Sequence, residues 1–246
     1  MTMMVRYRTL NRHPLFGVNT TQEDRILPMV MKQIHSYLLA KSYDYAMRNT
    51  EKRCLQGWRE ELLAQASGDL LEIGAGTGVN LPHYPDKVSR IILSEPDVQM
   101  RKQLQRKAGQ FQKERLDITS WGAESTGMPD ASFDTIVSTL VLCSVPSLET
   151  SLNEIYRLLR PNGVLLFLEH VISDHPPTRI WQHRLEPLWG LCAGNCRLTR
   201  DTATAILATG LQIEQLTEAP MAGTPAFVRR TIRGAARKSL DSGERA

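Results

Sequence analysis

The segment Glu72–Gly78, EIGAGTG, sets three glycines at alternate positions, 74, 76 and 78, directly after the short apolar run begun by Asp69, Leu70 and Leu71. Twenty-one residues beyond Gly74, a second apolar run, Ile91-Ile92-Leu93-Ser94, ends in an acid, Glu95. A strand, a glycine-rich turn and a later acid together make a pocket for a nucleoside. Gly74 and Gly76 can take positive φ and let a ligand approach the main chain closely. The two acceptor oxygens of Glu95 suit a vicinal diol. Position 79 is Val, so the dinucleotide spacing G-x-G-x-x-G is not met, and no lysine follows as a P-loop requires. His170 is the second chemical candidate. It ends an apolar run over 163–171, and an imidazole is the side chain suited to general base work near neutrality. Glu169 either orients it or points into the pocket itself, and the plainer reading of His170 is a strand cap. The four cysteines, 54, 143, 192 and 196, show no zinc spacing, because the Cys192/Cys196 pair lacks a second pair or a His set. No metal site is expected, and Cys143 reads as a small core residue rather than a nucleophile.

These residues need a frame that brings them to one edge. Helical patterns run over 24–40 and 50–66, the second with Leu55, Trp58, Leu62 and Ala66 on one face. Beyond them the chain alternates: strand 69–74, helix from 78, strand 90–95, helix 97–108, strand 115–119, strand 133–139, helix 147–160, strand 163–171. Such alternation predicts an α/β fold, a parallel sheet with helices on both faces. Thr199 is placed to cap a helix ending before Gly210, and two short strands, 211–217 and 226–232, are expected to pair antiparallel. Chemistry in such sheets sits at the carboxyl ends of the strands, which puts Ser138, Thr139 and Leu140 near the reacting atoms.

The glycine loop resembles the first motif of class I S-adenosylmethionine (SAM)-dependent methyltransferases. Trp121-Gly122-Ala123-Glu124 with Met128-Pro129 is similar to that family's adenine-facing segment, and Phe133–Ser138 to its fourth-strand motif. Thr139–Val145 (TLVLCSV), Glu169-His170-Val171, the Trp181, Leu185, Pro187, Trp189 pattern and Cys196-Arg197-Leu198-Thr199-Arg200 together resemble the methyltransferase-like thiol S-methyltransferases. They are partly shared with quinone-ring C-methyltransferases and phospholipid N-methyltransferases. The resemblance covers residues 43 to 217 and implies a Rossmann-like, seven-stranded, mostly parallel sheet with an antiparallel last strand. It implies SAM as cofactor, held by Glu72, Gly74, Ala75, Gly76 and Gly78 at its methionyl end and by Glu95 and Pro96 at its ribose. Ala123 would meet the adenine ring through its N–H, and Glu124 the adenine amino group. Thr139 and Leu140 would lie near the methyl, Tyr43 of the Ser42-Tyr43-Asp44 segment would close the pocket, and Trp181, His183 and Trp189 would line a lid. Asp134 would be structural.

Composition fits this picture. A chain of 246 residues with 41% hydrophobic and 23% charged residues is an ordinary soluble globule, and a net charge of +4 does not call for nucleic acid. The first ten residues lack a secretory core, and the segment 26–40, interrupted by Lys32, Gln33 and His35, is too short and polar to span a bilayer. A cytoplasmic enzyme is therefore expected, with residues 1–50 as arm and helical cover and 51–246 as the methyltransferase domain. Animal members of the resembled family carry an N-terminal membrane anchor that is not visible here, so contact of 24–40 with a membrane surface is left open. The expected reaction moves a methyl from SAM to a small, rather apolar acceptor, an alkyl thiol first. A quinone precursor or a lipid amine is the alternative, and a SAM-binding regulator without catalysis is the reading from another class.

Overall fold

The structure, a computed structural model, describes residues 36–38, 40–111 and 116–240. They belong to one compact unit that begins at Ser36. Helix α1 (40–50) runs into a π-helical turn, Glu51–Leu55, and then into α2 (Gln56–Leu63). The helix expected over 24–40 lies outside the described residues except for its last few positions.

Seven strands follow: β1 (Gly68–Ile73), β2 (Val88–Ser94), β3 (Leu116–Thr119), β4 (Phe133–Thr139), β5 (Leu159–His170), β6 (Gln212–Pro220) and β7 (Arg230–Arg237). Helices α3 (Val98–Ala108), α4 (Leu148–Leu158), α5 (Pro176–Cys192) and α6 (Thr202–Ala208) lie between them. The sheet order is β3-β2-β1-β4-β5-β7-β6. Strands β1 to β5 pair in parallel, β7 pairs antiparallel with both β5 and β6, and the expected α/β architecture is what forms. The order turns back between β1 and β4, and a crevice opens at their carboxyl ends.

The period-two pattern of the strands explains why helices cover both faces. Leu70, Ile91, Val137 and Leu166 feed one core, with Leu55, Leu62 and Leu104 packed on it. Their chain neighbours Leu71, Ile92, Ile136 and Leu165 feed the other, against Leu152, Ile155 and Ile206. Helix starts are set by short polar side chains. Asp97 accepts from the N–H groups of Gln99 and Met100, and Ser147 from that of Thr150. Asp134, expected to be structural, accepts from the Asp69 N–H and pairs with Arg160, which also holds Asp69.

Three expectations are corrected. No helix starts at 78: after Gly78 the chain makes turns and one short 3-10 segment, Leu81–His83, because Pro82 and Pro85 leave no room for a longer run. The segment expected as a strand over 226–232 begins as a 3-10 turn, Ala226–Val228, and the strand follows at β7. The cap of α6 is Asp201, which accepts from the Thr204 N–H, while Thr199 donates both its N–H and its hydroxyl to Glu186.

Candidate active site

The glycine loop hangs between β1 and β2. Gly74, Gly76 and Gly78 all take positive φ, 61°, 56° and 82°. They do different work. A Cβ on Gly74 would strike the Val141 side chain at 2.6 Å, so Gly74 lets the tip of β4 close against the loop. A Cβ on Gly76 would meet nothing nearer than a backbone oxygen at 4.0 Å, so the space over Gly76 is open. Ala75 donates its N–H to the Ser94 carbonyl and ties the loop to β2. Glu95, at the tip of β2, accepts from the N–H of Gly76 and of Asp97, both at 2.8 Å. Burial pushes its carboxyl above the ordinary range. Two N–H donors use about half of a carboxylate's acceptor positions and leave the rest for a ligand. Pro96, beside it, is exposed, and its carbonyl accepts from Arg101.

Behind the loop lies a buried polar network. Glu72 accepts from Asn80 Nδ2 and from the Tyr84 hydroxyl, both at 2.7 Å, so its two oxygens are held by the protein's own side chains. Burial also raises its pKa. The Thr139 hydroxyl takes hydrogen bonds from Arg59 at 2.8 Å and Asn80 at 3.0 Å. Arg59 further donates to Asn80 Oδ1 and to both carboxylate oxygens of Glu51, a residue of the π-helical turn. The side chains of Glu72 and Thr139, expected at the ligand, thus brace the loop from within. None of Arg59, Asn80 or Tyr84 was expected. Arg59 falls on a helix whose pattern reads only as amphipathic, and a buried arginine has no sequence signature until Glu51 is brought opposite it.

At the ends of β4 and β5 a second group gathers. Leu140 sits in the left-handed region, φ 59°, a sparsely populated conformation for a non-glycine residue. Glu169 is fully buried and turns away from His170. It accepts from Ser138 Oγ and from the N–H groups of Val141, Leu142 and Cys143, so it shapes the loop after β4 and neither orients His170 nor enters the pocket. His170, on the opposite side of the pleat, lies 3.6–3.7 Å from Cys196 Sγ by either ring nitrogen. Cys196 in turn lies 3.8 Å from Cys143 Sγ. The pair shares its protons unequally. Cys143 is pushed up, first by its hydrogen bond to Cys196, and Cys196 is pushed down, first by that bond and then by His170. The run 196–200 is fastened in place: Arg197 N–H donates to the Cys143 carbonyl, Leu198 is buried, and Arg200 donates to the carbonyls of Leu142 and Val145.

Tyr43 is carried to this edge by α1. Asp44, next in sequence, latches that helix down by accepting from Thr77 of the glycine loop and from Lys107 of α3. The phenol end of Tyr43 is buried, which pushes its pKa up to about 12, and it feels Arg59, Cys143 and Cys196. The segment 121–124 is held by the protein's own contacts. Ser94 Oγ donates to the Trp121 carbonyl, Ala123 packs on the second core, and Glu124 accepts from the Ser147 N–H at the start of α4. The expected lid is corrected. Helix α5 turns Gln182 inward, where it bonds Ser173 and Phe227, and this leaves Trp181 and His183 exposed. Only Trp189 faces in, edge-on to Phe227 at 5.2 Å.

A methyltransferase-domain family matches residues 71–167. The thiol S-methyltransferase TMT1B of Rattus norvegicus is 34% identical over 180 residues, 70% of this chain and 73% of its own length. The human thiol S-methyltransferase TMT1A is 33% identical over 67% of this chain and 68% of its own length. The chain belongs to this family of class I SAM-dependent methyltransferases. The YcgJ protein of Bacillus subtilis shares the fold with a TM-score of 0.61 at 18% identity, over 74% of this chain and 97% of its own.

The residues of this methyltransferase fit SAM. The open space over Gly76 admits a ligand against the main chain, and Glu95, bonded to the Gly76 N–H, retains acceptor positions beside it. Among the described residues, no helix of the methyltransferase is long and apolar enough to cross a membrane.

Proposed function

We propose that this methyltransferase acts on a small, rather apolar thiol. The observation that carries the reading is the convergence of Cys143, His170 and Cys196 at the carboxyl edge of β4 and β5, where Val141 packs against Gly74 of the glycine loop. It is supported by the thiol S-methyltransferases to which the chain is similar. Bound SAM supplies an already activated methyl on a sulfonium, so the protein has three tasks: hold the cofactor, align the acceptor and manage one proton.

In this reading Glu95 holds the ribose, the backbone over Gly76 receives the methionyl end, and the N–H of Ala123 with Glu124 meets the adenine. Glu72 and Thr139 contribute by fixing the loop and through their main-chain groups. Leu140 and Val141 line the approach to the methyl, and Tyr43 excludes water. A thiol loses its proton readily near neutral pH and needs little base catalysis. His170, with the Cys143–Cys196 pair, takes that proton. Residues 1–50 in this reading serve as arm and cover, and 51–246 as the catalytic domain.

The test is transfer of label from methyl-labelled SAM to a panel of alkyl and aryl thiols, with quinone precursors and aminophospholipids in parallel. Label on thiols alone is the expected result. Label confined to a lipid amine or a quinone ring would overturn the acceptor assignment while leaving the cofactor site standing.

A further inference from the structure

We propose that Cys143, His170 and Cys196 form a binding site for one Zn²⁺ ion, three protein ligands with the fourth position open to the acceptor. The three ligand atoms come from separate segments: the loop after β4, the last residue of β5 and the stretch after α5. They lie within 4.8 Å of one another. The sulfur-to-sulfur separation matches a tetrahedral site. With Zn–S near 2.3 Å and Zn–N near 2.05 Å, tetrahedral angles place two sulfurs about 3.8 Å apart and a sulfur and nitrogen about 3.6 Å apart. The sulfurs stand 3.8 Å apart, whereas Cys196 Sγ lies 3.6 or 3.7 Å from both ring nitrogens at once, so the imidazole must turn about its χ2 bond to aim one nitrogen at the ion. A disulfide would require the sulfurs to stand near 2.05 Å.

The surroundings are those of a prearranged site. Cys143 and His170 are buried, and Cys196 is half-buried, which leaves one side of the cluster approachable. The Cys143 N–H is held by Glu169, and its carbonyl by the Arg197 N–H, so the two thiol-bearing segments are bonded to one another next to the sulfurs. The indole N–H of Trp189 is buried and finds no hydrogen-bond acceptor among the described residues. Glu169, the nearest carboxylate, spends its oxygens on four donors. No fourth His, Cys, Asp or Glu joins the set among the described residues. Sites with two Cys, one His and an open position are a catalytic zinc pattern, in contrast to the closed four-ligand structural one. The steps of 27 and then 26 residues between these ligands (143 to 170 to 196) hide the set from any spacing rule, and the exposed Cys192 is not part of it.

The site itself is independent of the acceptor; the identity of the fourth ligand rests on the thiol reading above. A thiol entering that position displaces water, releases its proton to solvent and is held as a thiolate. Its sulfur forms the new bond to the sulfonium methyl carbon, the old carbon–sulfur bond breaks, and that electron pair stays with the departing sulfur. The neutral thioether then leaves the ion. With the ion bound, His170 is a ligand and the metal performs the deprotonation that His170 would otherwise carry out.

The experiment uses the full chain, reduced and stripped with a chelator, then titrated with Zn²⁺ against a chromophoric competitor and with Co²⁺ as an optical probe. One ion per chain is expected, with the sulfur-to-cobalt charge-transfer bands of a tetrahedral two-thiolate site. Outer contacts of metal sites are worth about 10–100-fold in affinity, so Cys143→Ser or Cys196→Ser should lower it by more than about 100-fold. Cys192→Ser should leave it unchanged. Adding a small thiol to the Co²⁺ form should intensify the charge-transfer band. Failure of the wild-type chain to take up a stoichiometric ion, a measurement that needs no variant, would overturn the site, as would uptake undiminished by Cys143→Ser in a folded protein. An ion bound with no thiol methylated would sustain the site and remove the thiol reading; thiols methylated equally well by ion-free protein would sustain the thiol reading and overturn the ion's part in the transfer.

Discussion

Removing the Arg59 guanidinium is the sharpest perturbation available behind the glycine loop. Its side chain is 3% exposed and bridges Glu51, itself 20% exposed, to Asn80 and Thr139. Arg59→Met keeps the length and removes the charge and every donor. The loss strands a carboxylate in the π-helical turn and frees Asn80 Oδ1. Breaking a buried pair by deleting one partner costs about 3–5 kcal/mol. The residual exposure of Glu51 places this case at the lower end, about 3 kcal/mol. For a chain of this size that is a fall in Tm of about 6–12 °C. If the cost is the stranded charge, then Glu51→Gln in the same background should recover about 1–2 kcal/mol of it. Denaturant melts of the two single variants and the double give the coupling directly. SAM titration of the same proteins should show affinity falling along with stability, because Asn80 also braces Glu72 under the loop. A stability change below about 1 kcal/mol, or no recovery in the double variant, would refute the network as the loop's support.

Other outcomes follow from neighbouring contacts. Gly76→Ala meets no atom of the free protein, so its stability cost is the left-handed strain of about 1–2 kcal/mol, while its methyl fills the open space. SAM affinity by calorimetry should fall by more than that strain accounts for, and unchanged affinity would move the cofactor off this loop. Glu95→Gln turns one acceptor into a donor facing an N–H, and should weaken SAM binding by about 10-fold or more. Because burial raises the Glu95 pKa, the carboxylate form is present above that raised value and lost as pH falls through it. SAM affinity should therefore begin to drop at a pH above the ordinary glutamate range, and the drop should vanish in Glu95→Gln. Cys196 should retain thiolate ultraviolet absorbance below the pH at which ordinary thiols are protonated, and Cys196→Ser should abolish that component.

Much of this was legible in the residues. The alternation of Leu70 and Leu71, or Ile91 and Ile92, between two faces is written in the chain, and so is the turn demanded by glycines at 74 and 76. The acid at 95 could be placed because a strand end fixes where its side chain emerges. The region after Gly78 could not, because a helix-like composition at Leu81 is overruled by two prolines. Glu72 was placed at the ligand by resemblance and Thr139 by its strand end; their bonds to Tyr84, Asn80 and Arg59 were not legible, because a buried arginine 80 residues from Thr139 leaves no local pattern. Helix α5 was misread for a similar reason. Trp181 suggests a lid by type, whereas the hydrogen bonds of Gln182 decide which face turns inward. The Cys143–His170–Cys196 group lay beyond reach, since the pairing of β4 with β5 brings only Cys143 and His170 to one edge and Cys196 arrives on the stretch after α5, tied there by the Arg197 N–H.

The position of β7 has a consequence for synthesis. Strand β5 is flanked on one side by β4, but its other edge is completed only by Arg230–Arg237, made roughly 60 residues after His170. At ribosomal speeds of about 5–20 residues per second, that edge stands open for about 3–12 s. Its exposed rim, Val164–His170, is an apolar template for a foreign strand throughout that interval. A nascent chain stalled before residue 230 should thus be a client for chaperones and prone to aggregate, while one released after residue 238 closes its own sheet.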